Sequence, residues 1–266
     1  MMRRMLSFAC EGAMLYATLD LPDEAAPATG LLIVSGGNEI RTGAWASHAR
    51  IAESVVAQGH AAFRFDRRGV GDSEGSNGGF RASAPDLAAA IAAFRAAVPS
   101  MTRVIALGNC DAASALMLTS GAGLDGLVLS NPWTFEEENA GPSVQALRAH
   151  YRKRLVNSDA LMRLITGKVS IRSLFGSLLR LARPAPPPAP LVRQMSDGLA
   201  AFDGPVRLLL AGNDSTAQAF AGVWDGKDAR IAHCERATCE GASHSFVEPH
   251  ARDWLMAQII GALEAA

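Results

Sequence analysis

Two kinds of stretch alternate along this chain. Short apolar runs end in Gly, Asn or Asp, and longer Ala-rich stretches carry apolar residues at helical spacing. Residues 5–10 and 13–20 read as two strands of a hairpin around Glu11-Gly12. T-G-L-L-I-V-S-G-G (29–37) reads as a buried strand ending in glycines, 45–58 as a helix and A-A-F-R-F-D (61–66) as the next strand. A helix over 82–97 with Pro85 in its first turn follows, then a strand over 103–107 and a helix over 111–120. Strands are expected at 126–132, 205–212 and about 231–238, and a closing helix at 247–264. Strands alternating with helices predict an α/β fold with a mostly parallel central sheet, its short apolar strands buried on both faces.

The alternation breaks once. Between Pro132 and Pro205 no clear strand occurs, but L-M-R-L-I-T and S-I-R-S-L-F-G-S-L-L-R-L-A-R have helical spacing with arginines between apolar positions. R-P-A-P-P-P-A-P (183–190) then reads as a stiff extended segment. This divides the chain into a core of 1–132 and 205–266 and a helical cap inserted at 133–204, lying over one end of the sheet.

Charge sharpens that division. The formal net charge is −1, which implies no general attraction to nucleic acid. Yet from Arg148 to Arg183 there are nine Lys/Arg against the single acid Asp159. Arg172 and its neighbours on an amphipathic helix could neutralise a carboxylate, phosphate or anionic glycan, dock on anionic lipid, or simply form a solvated face. No apolar run approaches the length of a membrane span, and Glu11 interrupts the only leader-like start. A cytoplasmic protein with free thiols is therefore expected. The four cysteines make no C-x-x-C pair and no metal-type cluster with His, so neither metal nor cofactor is expected.

Candidate chemistry lies in the loops after the strands, where open parallel sheets gather function. L-G-N-C-D-A-A-S (107–114) joins an apolar run to an Ala-rich helix. Gly108 and Ala112 are small at the two places where a strand–turn–helix elbow is crowded, which would present Cys110 at a helix N-terminus, where the dipole favours an anion. A buried structural thiol is the plain alternative. G-D-S-E-G (71–75) also fits G-x-S-x-G, but no strand enters it directly and no helix follows, so Ser73 reads as a loop residue. Asp214, in A-G-N-D-S-T, could orient an imidazole or merely cap a helix. His244, in E-G-A-S-H-S-F, completes the order nucleophile, acid, histidine. S-G-G-N (35–38) could offer the N–H of Gly37 or Asn38, with that of Asp111, to an oxyanion, or could be a Gly turn. Trp133 and Arg172 are candidate substrate contacts from the insertion.

Taken together, these motifs resemble an α/β-hydrolase over nearly the whole chain, and D-R-R-G-V-G-D-S-E-G (66–75) is similar to the D-x-R-G-x-G-x-S loop of many esterases and lipases. More narrowly, G-N-C-D-A-A-S, S-G-G-N-E and the 133–204 insertion resemble the exosortase A system-associated hydrolases, type 1, which accompany bacterial exopolysaccharide and protein-sorting clusters. The resemblance implies a hydrolase fold and a Cys110–Asp214–His244 site; from the residues themselves, a thiol with an imidazole base would act on a small acyl substrate through an ester or thioester bond. An acyltransferase using the same residues, and a binding protein that kept the fold without the chemistry, are the alternatives.

Overall fold

The computed structural model describes residues 1–23, 27–135, 189–224 and 234–265. Eight strands form one sheet in the order β1-β2-β4-β3-β5-β6-β7-β8. They are β1 (Met2–Cys10), β2 (Ala13–Leu21), β3 (Thr29–Val34), β4 (Ala61–Phe65), β5 (Arg103–Asn109), β6 (Gly126–Ser130), β7 (Val206–Ala211) and β8 (Cys234–Cys239). β1 and β2 pair antiparallel, as does β2 with β4, and every other pairing is parallel. The predicted hairpin turns on Glu11 and Gly12, both at positive φ (46° and 83°), which sets the full β1–β2 register from Met2↔Leu21 to Cys10↔Ala13.

Helices cover both faces. α1 (Ser47–Ala57) and α6 (Pro249–Glu264) lie on one side; α2 (Ala84–Ala97), α3 (Asp111–Leu118), α4 (Pro190–Ala200) and α5 (Ser215–Val223) lie on the other. The two-residue period of a strand explains how one apolar run serves both layers. In β3, Leu31 and Ile33 meet Val55 and Ile259, whereas Leu32 and Val34 join the cluster containing Phe94 and Leu116. β5 repeats the pattern with Ile105 and Leu107 against Val104 and Ala106.

One boundary differs from the sequence expectation. The stretch 190–200, assigned to the inserted cap, is α4, and it packs Leu191, Val192, Met195 and Leu199 into the main core beside α3. Its apolar face is matched to the sheet layer, so this part of 133–204 belongs to the core. Most of the rest of the expected cap, 136–188, lies outside the described residues, and with it the basic segment and Arg172.

Strand order fixes where a site can form. From β3 the chain moves to β4 on one side, then returns to β5 on the other and continues outward. Loops leaving the carboxyl ends of β3 and β5 therefore diverge and leave a crevice between them.

Candidate active site

β5 ends at Asn109 and α3 begins at Asp111, so a single residue makes the turn. That residue, Cys110, sits at φ 60°, ψ −126°, a conformation that costs a non-glycine residue about 1–3 kcal/mol. Backbone bonds hold it there: Cys110 N–H donates to the Ser130 carbonyl at 3.0 Å, and the Cys110 carbonyl accepts from Trp133 N–H at 3.2 Å. Crowding makes the flanking residues small. A Cβ on Gly108 would stand 2.8 Å from the backbone of Ala112 and Ala113.

Asp214 follows β7, where it both caps a helix and faces an imidazole. As N-cap of α5 its Oδ2 accepts from Ala217 N–H at 2.8 Å, and the same oxygen faces His244 Nδ1 at 3.0 Å. His244 follows β8. Asn131, fully buried and at φ 45°, holds the backbone there: its Nδ2 donates to the His244 carbonyl at 2.9 Å and its Oδ1 accepts from Ala211 N–H at 2.8 Å. One buried amide thus ties the end of β7 to the histidine loop.

The imidazole and the Cys110 thiol face the same cavity, close enough for the thiol to act on the ring. The hydrogen bond that His244 Nδ1–H donates to Asp214, then the neighbouring Cys110, outweigh burial and push His244 up to about 10. Burial pushes the Asp214 carboxyl up, but the bond and charge of His244, with the Ala217 and Thr216 N–H groups, hold it below the usual carboxylate range. The other three cysteines lie apart from this arrangement. Burial raises each of their thiols, Cys234 to about 11, with the nearby acids Asp86 for Cys10 and Glu248 and Glu240 for Cys239 adding to the effect.

A cavity of about 440 Å³ opens at this point, lined by Gly37, Glu39, Cys110, Asp111, Trp133 and His244 among others. Trp133, named in sequence as a candidate substrate contact, lines this cavity with its ring edge-on to Phe135 at 4.5 Å. The glycine turn is more occupied than expected. Gly37 N–H donates to both carboxylate oxygens of Asp111, at 2.8 and 2.9 Å. Asn38 is turned to Asn77, whose Nδ2 donates to its Oδ1 at 2.8 Å. Ser73 is a loop residue whose Oγ donates to the Asp66 carbonyl at 2.7 Å and accepts from Tyr16 N–H at 3.0 Å.

Three residues of the site escaped the sequence reading. Glu39 lines the cavity, Asn131 positions the histidine loop, and Arg67 lies beneath the glycine turn. Arg67 is 2% exposed; it donates from Nη2 to the Gly37 carbonyl at 2.6 Å and from Nη1 to Ser83 Oγ at 2.9 Å. A polar residue at a strand's end, as in L-S-N-P, was the one available hint for Asn131. Among the described residues no three His, Cys, Asp or Glu side chains gather as a metal site would require, and no helix is long and apolar enough to cross a membrane.

Comparison with known proteins agrees with this architecture. The family described as Serine aminopeptidase, S33, matches residues 26–176. No curated protein matches the chain in sequence. Among solved structures, the ferulic acid-bound Est1E from Butyrivibrio proteoclasticus is similar over 98% of this chain and 100% of its own, at 14% identity and a TM-score of 0.64. The Pyrococcus furiosus esterase Pf2001 is similar over 99% of this chain and 92% of its own, at 12% identity and a TM-score of 0.67. A Xanthomonas campestris α/β serine hydrolase without a lid gives 99% and 96%, 15% and 0.61. The fold is that of the α/β-hydrolases. The family match spans Cys110 but stops short of Asp214 and His244, which the geometry alone brings to it.

Proposed function

The chain belongs to the family described as Serine aminopeptidase, S33, and from that premise we propose that it is a hydrolase whose nucleophile is the thiol of Cys110, acting on ester or thioester bonds. The observation that carries this reading is that Cys110 and His244 line one cavity, with His244 Nδ1 3.0 Å from Asp214 Oδ2 behind it. An imidazole placed between the thiol and a carboxylate can take the sulfur's proton and then stand as the counter-ion of the sulfur it has activated.

In this reading the Cys110 sulfur attacks the acyl carbon, and the carbonyl electrons move to its oxygen. Collapse expels the leaving group, which takes its proton from His244, and leaves a thioester on Cys110. Neutral His244 then removes a proton from water; the resulting attack releases the acid and restores the thiolate–imidazolium pair. Asp214 keeps the imidazole in one tautomer and balances its charge throughout.

Sulfur narrows the substrates. A thiolate leaves more readily than an alkoxide, so the tetrahedral intermediate from an ordinary ester tends to fall back to reactants. Thioesters, activated esters and lactones suit this nucleophile better. The acidic cavity side chains named above, Glu39 and Asp111, disfavour an anionic acyl group beside Cys110. The narrower kinship with exosortase A system-associated hydrolases, supported by G-N-C-D-A-A-S and S-G-G-N-E, belongs to the same proposal.

Two measurements test it. At pH 6, iodoacetamide should alkylate Cys110 well ahead of the other thiols, and His244→Ala should abolish that lead. Turnover of an activated thioester should fall about 10³-fold or more in Cys110→Ala. Turnover unchanged by that substitution would leave a binding protein of hydrolase fold. Adding an acceptor alcohol and weighing the products separates hydrolysis from acyl transfer.

A further inference from the structure

We infer that the Asp111 carboxylate is a resident occupant of the oxyanion pocket, which an acyl donor must displace before Cys110 can be acylated. This deepens the proposal above and rests on it.

The Gly37 N–H, one of the donors an oxyanion would need, points between the two Asp111 oxygens at 2.8 and 2.9 Å. Gly37 and Asp111 line the same cavity as Cys110 and His244. The turn is shaped around this contact. A Cβ on Gly36 would stand 2.4 Å from Asp111 Oδ1, and Gly37 itself takes φ +51°. Behind them, the buried Arg67 grips the Gly37 carbonyl at 2.6 Å and lies 3.8 Å from Asp111 Oδ2. Arg67 Nε is, among the described residues, the one buried side-chain nitrogen or oxygen with no hydrogen-bond partner.

A carboxylate here has the charge and the hydrogen-bonding capacity of the oxyanion formed during acyl transfer. The two therefore compete for one N–H. When the oxyanion wins, it inherits the field of Arg67 as well, so the buried guanidinium keeps an anion nearby. When a small donor binds weakly, the carboxylate stays and the intermediate lacks a donor worth about 10²–10³ in rate. Asp111 is thus a specificity-determining residue. It disfavours small activated acyl groups and favours donors that anchor elsewhere in the cavity.

The experiment compares two reactions of the same thiol. Acylation by phenyl thioacetate needs the oxyanion pocket; alkylation by iodoacetamide does not. Both are followed at Cys110 by intact mass, at a pH where each rate has reached its plateau. In Asp111→Ala the ratio of acylation to alkylation should rise roughly 10- to 10³-fold. Asp111→Asn, which keeps an oxygen facing Gly37 but loses the charge, should gain only a few-fold, and it serves if the alanine variant does not fold. An unchanged or lower ratio overturns the inference, and an equal gain in both variants overturns it in favour of a pure charge effect. If Cys110 alkylation does not depend on His244, the thiol-nucleophile reading fails first and takes this inference with it. If that dependence holds but no acyl-Cys110 forms in any variant, only the inference falls.

Discussion

Single residues carry the site because each does two things. Asp214 caps α5 and holds His244 with the same oxygen. Cys110 turns the chain and presents the thiol, in a conformation that Gly108 permits by having no side chain. Gly108→Ala would push a methyl group into the Ala112–Ala113 backbone, which cannot move without moving α3. We expect a loss of about 1–3 kcal/mol by urea unfolding, with a larger proportional loss of Cys110 reactivity because the elbow itself shifts. The elbow was legible in sequence because its requirements are local: small residues two places either side of the turn, between an apolar run and a helix. The bond from Gly37 to Asp111 was not, since the two lie 74 residues apart and only the fold joins them. Asn131 was hidden for the same reason, its partners being in β7 and the histidine loop.

Elements were mostly readable from periodicity, and the exceptions have physical causes. α5 was not foreseen, as S-T-A-Q-A-F-A-G-V is short and begins with residues that favour turns as much as helix starts. α4 was not foreseen as a helix either; its residues fell within the expected 133–204 insertion, and a stretch of apolar residues does not by itself say which surface it meets. The proline run before it suggested an insertion still in progress, whereas the chain had already returned to the core. How tightly α4 sits is shown at Gly198, where a Cβ would come 1.9 Å from the Met117 carbonyl oxygen of α3. Gly198→Ala should therefore destabilise by about 1–3 kcal/mol or more, despite alanine's better helix propensity. A thermal melt that rises with this substitution would show that the α3–α4 contact is looser than it appears.

The whole molecule responds to pH through the pair its sheet assembles. The folded state raises His244 from its ordinary 6.5 to about 10, so its contribution to stability is complete below 6.5 and is lost as pH rises through about 10. Asp214 acts in the opposite direction: its contribution is present above its ordinary 3.8 and is lost as pH falls below that. The His244 side chain is 36% exposed, so solvent screening keeps the effect modest. Urea unfolding of wild type and His244→Gln should differ most between about pH 5 and 6.5 and converge above about pH 10. A gap that widens with alkalinity would contradict the charged imidazole.

Four cysteines, none of them in a disulfide, would ordinarily confuse any thiol reagent. Here Cys10 and Cys239 are buried, the half-buried Cys234 has its thiol pushed up to about 11, and Cys110 faces the cavity, so a fluorescent haloacetamide should stain a single position without prior mutagenesis. The dye would then stand at the cavity mouth, and its colour or brightness would report on whatever molecule comes to rest beside it.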